Sequence, residues 1–121
     1  MPAYNFKAQW ADLVANGLKW HTIRMKRKRA TLPGDTVYLY TGMRTKQCRK
    51  LGQHLCQNVV PIDIYPGRIV LDGKELVGEE AMGLAIADGF SDLDSFFAFF
   101  EKTYGLPQVG TMEVIYWDPN A

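Results

Sequence analysis

Between Thr36 and Val77 the chain is a succession of extended segments whose joints are too short to hold a helix. Strands joined in that way pair antiparallel, because a parallel return needs a crossover of a dozen residues or more. Thr36 to Thr41 alternates, and the period of two sends Val37 and Leu39 inward and Tyr38 and Tyr40 to the other face. Gln53 to Tyr65 is a long extended run with Cys56, Val60, Ile62 and Ile64 on one parity. Pro61 lacks an amide donor and predicts a bulge or an edge within it. Pro66-Gly67 turns the chain into a strand over Arg68 to Leu71, and Asp72-Gly73 is a hairpin signal that returns it through Lys74 to Val77.

The segments on either side add helices. Tyr4 to Phe6 reads as a short first strand, and Lys7 to Asn16 as a helix carrying Trp10, Leu13 and Val14, closed by Gly17. Trp20 to Arg24 alternates as a strand, with Trp20, Thr22 and Arg24 on one face and His21 and Ile23 on the other. Met25 to Leu32 is a basic loop, Pro33-Gly34-Asp35 a turn, and Gly42 to Lys50 a second basic loop. Glu79 to Ala87 reads as a helix with acids at its start. Ser91, with Asp94 in the capping-box position, predicts the start of another helix reaching Tyr104, whose phenylalanines Phe96, Phe97, Phe99 and Phe100 belong to a core. Thr111 to Trp117 reads as the last strand. The expectation is an α+β fold: five to seven strands in a small curled sheet or barrel, with about three helices over it, in one domain spanning residues 1–121.

Charge is divided along the chain although the net charge is only +1. Lys19 to Lys50 holds ten Lys/Arg against Asp35, a balance of +9, and Asp72 to Glu101 holds eight acids against Lys74, a balance of −7. Either the basic half faces a polyanion, or the two halves pair with each other. Arg24, Lys26, Arg27, Lys28 and Arg29 form one cluster, and Arg44, Lys46, Arg49 and Lys50 form another. Two basic loops flanking one strand favour phosphate contact, with Trp20, Tyr38 and Tyr40 placed to stack on bases. No apolar run approaches the length of a membrane helix, and no leader pattern is present. Cys48 and Cys56 are too few for a disulfide scaffold, so a cytoplasmic protein with free thiols is expected. Cys48, His54 and Cys56 match no zinc-ligand spacing, and Cys56 reads as a buried strand residue.

Gly17-Leu-Lys-Trp-His-Thr-Ile-Arg24 after a helix, Pro33-Gly-Asp35 before a strand, and Asp88-Gly-Phe90 ahead of an aromatic helix together resemble the ASCH domain. The resemblance runs from Phe6 to Trp117, and Tyr40-Thr-Gly-Met-Arg-Thr-Lys-x-Cys-Arg-Lys50 is similar to small bacterial and prophage-type ASCH proteins. It implies a PUA-like β-barrel with flanking helices and RNA-linked work: binding of RNA or a modified nucleoside in a basic cleft near the motif. It implies two enzymatic alternatives as well, an N4-acetylcytidine amidohydrolase and a metal-assisted ribonuclease. No cofactor is expected unless the ribonuclease reading holds, when a divalent metal would be. The amidohydrolase lysine and threonine fall on Lys19 and Thr22, and its later glutamate on Asp88, shorter by one methylene.

Read without the resemblance, Lys19 and Thr22 are three residues apart and lie on opposite faces of a regular strand. They converge only if Lys19 belongs to the turn ahead of the strand. A lysine there, desolvated, would act as a base, with the threonine hydroxyl as nucleophile and an acid to move the proton. The alternative is an ordinary strand threonine beside a solvated lysine. His21 reads as structural. A basic face meeting an acidic protein partner is the third functional class the charge division allows.

Overall fold

The structure is a computed structural model that describes residues 2–119. It is a mixed α+β fold with strands β1 (Ala3–Phe6), β2 (His21–Met25), β3 (Thr36–Thr41), β4 (Arg49–Tyr65), β5 (Arg68–Leu71), β6 (Lys74–Leu76) and β7 (Gln108–Trp117). Helices α1 (Ala8–Ala15), α2 (Glu79–Ala87) and α3 (Leu93–Tyr104) complete it. The strands hydrogen-bond in the order β1-β3-β4-β5-β6, with β7 also on β4 and β2 on β7. This seven-stranded ladder does not close into a barrel among the described residues. It is mixed because β1 lies parallel to β3, with Ala3 opposite Tyr38 and Asn5 opposite Tyr40. The short-joint rule says nothing about that pair, since α1, β2 and a loop separate the two strands in sequence.

The chain divides into two compact units, and β2, β4 and β7 have residues in both. Of the described residues, the first contains 2–21, 29–59 and 115–119. Its core gathers Tyr4, Phe6, Val14, Val37, Leu39, Ile115 and Trp117, each almost wholly removed from water. Phe6 meets Trp117 edge to face at 6.1 Å, and Tyr4 reaches past the apolar side chains to hydrogen-bond Thr31 Oγ1 at 2.6 Å. A tyrosine is tolerated so deep because its hydroxyl has found a partner. α1 supplies Ala11 and Val14 to this core.

α1 ends as its sequence requires. Gly17 takes φ +73°, and its N–H donates to Val14 O at 3.1 Å while Leu18 N–H donates to Leu13 O at 2.9 Å. These are the two bonds of the glycine-terminated helix cap. Lys19 N–H also donates to Leu13 O, at 3.0 Å, so Lys19 is the tail of that cap and not a strand residue.

β3 and β4 pair antiparallel with Tyr38 opposite Gln53 and Tyr40 opposite Lys50. Leu39 is opposite Gly52, so Leu51 is an extra residue on β4. The bulge falls there, turns Leu51 inward, and leaves Lys50 and Gln53 exposed.

The second unit contains residues 22–28 and 60–114. β4, β5 and β6 form successive antiparallel pairs, and Asp72 and Gly73 both take positive φ in the tight turn between β5 and β6. α3 buries Phe96 and Phe100, against which Phe90 packs at ring distances of 5.6 and 6.5 Å. The capping residue of α3 is Asp92, not Ser91: its carboxylate accepts from Ser95 N–H at 2.7 Å. Both residues can cap, and the one that reaches the amide of the third helical residue does so. That bond holds the Asp92 carboxyl below the usual aspartate range.

Candidate nucleic-acid interface

The outer face of the β1-β3-β4 ladder in the first unit is built from the residues that the core leaves over. On β3, Val37 and Leu39 point into the core with no exposure, so Tyr38 and Tyr40 must point outward, where they are half-buried. Pairing adds Ala3 and Asn5 from β1 and Gln53 and Lys50 from β4 to the same face. Lys50 Nζ hydrogen-bonds Gln53 Oε1 and lies 5.7 Å from the centre of the Tyr38 ring. Since Lys50 is the cross-strand neighbour of Tyr40, it reaches diagonally from one tyrosine toward the other.

The loop between β3 and β4 is held to this face. Met43 N–H donates to Asn5 Oδ1 at 2.9 Å, and Thr45 Oγ1 donates to Gly42 O at 2.6 Å and accepts from Gln47 N–H at 3.1 Å. Gly42 (φ +64°) and Arg44 (φ +67°) both adopt the left-handed backbone that this tight loop needs. Arg44, Lys46, Arg49 and Lys50 are exposed on and beside it. Arg49 is partly engaged, Nη1 standing 3.4 Å from Asp12 Oδ1 of α1. Asn5, Gln53 and Asp12 were not legible as members of this surface, because only the strand register and the helix position bring them to it.

The other basic cluster divides between the units: Arg24, Lys26, Arg27 and Lys28 lie in the second, Arg29 in the first. All but Arg24 are exposed.

The motif residues are buried. Lys19, in the first unit, is 4% exposed, and its ammonium lies 5.9 Å from the centre of the Trp10 ring. The condition for Lys19 to escape strand parity is met, because the helix cap ends on it. His21 is buried against Tyr116, at a ring distance of 5.6 Å. Thr22, in the second unit, is buried and accepts a hydrogen bond from Arg24 Nε at 3.0 Å. With His21, Thr22 and Ile23 all buried, β2 is covered on both faces at its start. Asp88, in the second unit, is buried at the C-terminal cap of α2.

Glu113, on β7 of the second unit, is a further buried polar residue, 8% exposed. β2 and β7 are bonded at Trp117 N to Trp20 O, 3.1 Å, and at Lys26 N to Thr111 O, 2.9 Å. That antiparallel register sets Arg24 opposite Glu113. Burial raises the Glu113 carboxyl above the usual glutamate range, and Lys26 and Arg27 only partly oppose this. Its Oε2 has no hydrogen-bond partner among the described residues. The available signal was a lone acid next to Met112 and Val114 that shares strand parity with Ile115 and Trp117.

Elsewhere in the second unit a cavity of about 320 Å³ lies between the β5–β6 hairpin and the two helices, lined by Arg68, Ile69, Leu76, Val77, Ala81 and Phe97 among others. Cys48 is an exposed cysteine and Cys56 a buried one, whose Sγ lies 3.6 Å from Asn58 O. No group of three or more His, Cys, Asp or Glu is placed to hold a metal among the described residues. No described helix is long and apolar enough to cross a membrane. Comparison of the chain with protein-family models, with curated proteins and with solved structures gives no match in any of the three.

Proposed function

We propose that the chain binds RNA, with the outer face of β1, β3 and β4 and the loop over residues 42–48 as the contact surface. One observation carries this reading: two half-buried tyrosines share a sheet face with a lysine, next to a structured loop of exposed cations. Cations meet phosphates and aromatic faces meet bases, a combination that suits a nucleic acid better than a simple polyanion. The resemblance of Gly17–Arg24 to the ASCH motif supports the same class of ligand, RNA or a modified nucleoside, and a PUA-like barrel belongs to that proposal. The test is fluorescence anisotropy with a labelled oligoribonucleotide in a salt series. Binding that weakens steeply with salt, and that is lost in the Arg44→Glu, Lys46→Glu variant, is expected. An oligoribonucleotide that stays unbound at low salt overturns the reading and leaves an acidic protein as the partner for the basic loop.

A hydrolase is the second reading, favoured by the burial of Lys19, Thr22 and Asp88. Burying such groups is costly, and function is one reason to retain them. The shorter carboxylate of Asp88 bears on the amidohydrolase form of this reading. Release of cytidine from N4-acetylcytidine, absent in the Thr22→Val variant, would support it. Cleavage of RNA only when a divalent metal is added would support the ribonuclease form.

A further inference from the structure

We infer that the β1-β3-β4 face takes unpaired RNA and not duplex, with Tyr38 and Tyr40 as a platform for two bases and Lys50 as the cation between them. This rests on the RNA-binding reading and adds which form of RNA the surface accepts. Tyr38 and Tyr40 are two positions apart on β3 and so roughly 6.5–7 Å apart along the strand. A ring can stack only on a base whose face is open. In a duplex each face is covered by the next base pair, and only the edges and the backbone reach a protein surface. Two outward rings on the middle strand of three therefore select bases that have been splayed from their neighbours.

The residues around the rings fit that use. Ala3, opposite Tyr38 on β1, is small and leaves the approach to the ring low on that side. Asn5, opposite Tyr40, has its carboxamide oxygen engaged by Met43 N–H, which fixes the edge of the loop beside the platform. On β4, Gln53 Oε1 accepts from Lys50, so the ammonium is already turned toward Tyr38 although its own strand neighbour is Tyr40. A cation based opposite Tyr40 and held beside the Tyr38 ring would meet the phosphate that links two stacked nucleotides. Ala3, Asn5, Tyr38, Tyr40, Lys50 and Gln53 include no acid, and Asp12, beside the loop, stands 3.4 Å from Arg49.

The test compares one labelled oligoribonucleotide, free and annealed to its complement, against the full chain at the same salt concentration. The single strand is expected to bind at least about tenfold more tightly. Replacing both tyrosines by leucine should remove that preference with little change in the salt dependence. Tyr38→Phe with Tyr40→Phe keeps the rings and should retain the preference, which separates loss of stacking from loss of the fold. Equal binding of single strand and duplex, or a preference that survives the leucine pair, overturns the platform and leaves RNA binding standing. Absence of binding to either form removes the RNA reading and this inference together.

Discussion

Asp12 withholds a cation from the proposed surface. Its carboxylate stands 3.4 Å from Arg49, so Arg44, Lys46 and Lys50 are left to meet phosphates while Arg49 is partly neutralised. Each phosphate neutralised on a single strand contributes about −0.7 to the slope of log affinity against log salt, so three contacts give a slope of about −2. Replacing Asp12 by Asn releases Arg49 and should steepen the slope to about −2.8. Between 50 and 200 mM salt the wild-type affinity would then fall about 18-fold and that of the variant about 50-fold. The exposed pair itself stabilises the fold by less than about 1 kcal/mol, so the variant should fold normally. The assay is anisotropy at four or five salt concentrations on the wild type, Asp12→Asn, and Asp12→Asn with Arg49→Ala. The third variant should return to the wild-type slope. Identical slopes for the wild type and Asp12→Asn would refute the reasoning, since the pair would then not be what limits Arg49. A full charge lost from the slope in Arg49→Ala alone would refute it too.

Three predictions concern the fold. Glu113→Gln should be more stable than the wild type at neutral pH and equal to it near pH 4. Burial raises this carboxyl above the usual glutamate range, so the folded state holds the proton more tightly; its contribution is complete below that range and is lost as pH rises through the raised pKa. Thermal melts of both proteins at the two pH values check the sign, and a variant less stable than the wild type at pH 7 would contradict it. Leu39→Ala, at a site with no exposure between the two tyrosines, should cost about 2–5 kcal/mol, seen as a lower urea midpoint at unchanged m-value. Gly17→Ala should cost roughly 1–2 kcal/mol, since φ is +73° there while, among the described residues, the new methyl would meet only Pro119 Cβ at an ordinary 3.5 Å.

What could be read in advance was local. Val37, Tyr38, Leu39 and Tyr40 alternate, and a period of two needs no knowledge of the rest of the chain to assign inside and outside. Gly17, Asp72 and Gly73 announce positive backbone angles wherever they occur in such contexts. The start of α3 was displaced by one residue because Ser91 and Asp92 are both good caps, and only geometry chooses between them. Long-range pairing was not legible. Nothing in Ala3–Phe6 says that it lies parallel to a strand more than thirty positions later, or that the ladder stays open. Nor does the run Arg49–Gln53 mark Leu51 as the extra residue.

The bulge at Leu51 has a consequence for function that the strand pattern alone would misjudge. Lys50 and Gln53 are three positions apart on β4, and in a regular strand an odd step puts side chains on opposite faces. The inserted Leu51 absorbs one position, so that both are opposite tyrosines of β3 and share their face. Deleting Leu51 would leave Lys50 and Gln53 two positions apart in a regular strand, still opposite Tyr40 and Tyr38 on the same face. What the bulge adds is Leu51 itself, a side chain turned into the core of the first unit. The deletion should therefore lower stability and leave the lysine on the tyrosine face, and a deletion variant that folds but loses the contribution of Lys50 to RNA binding would contradict this register.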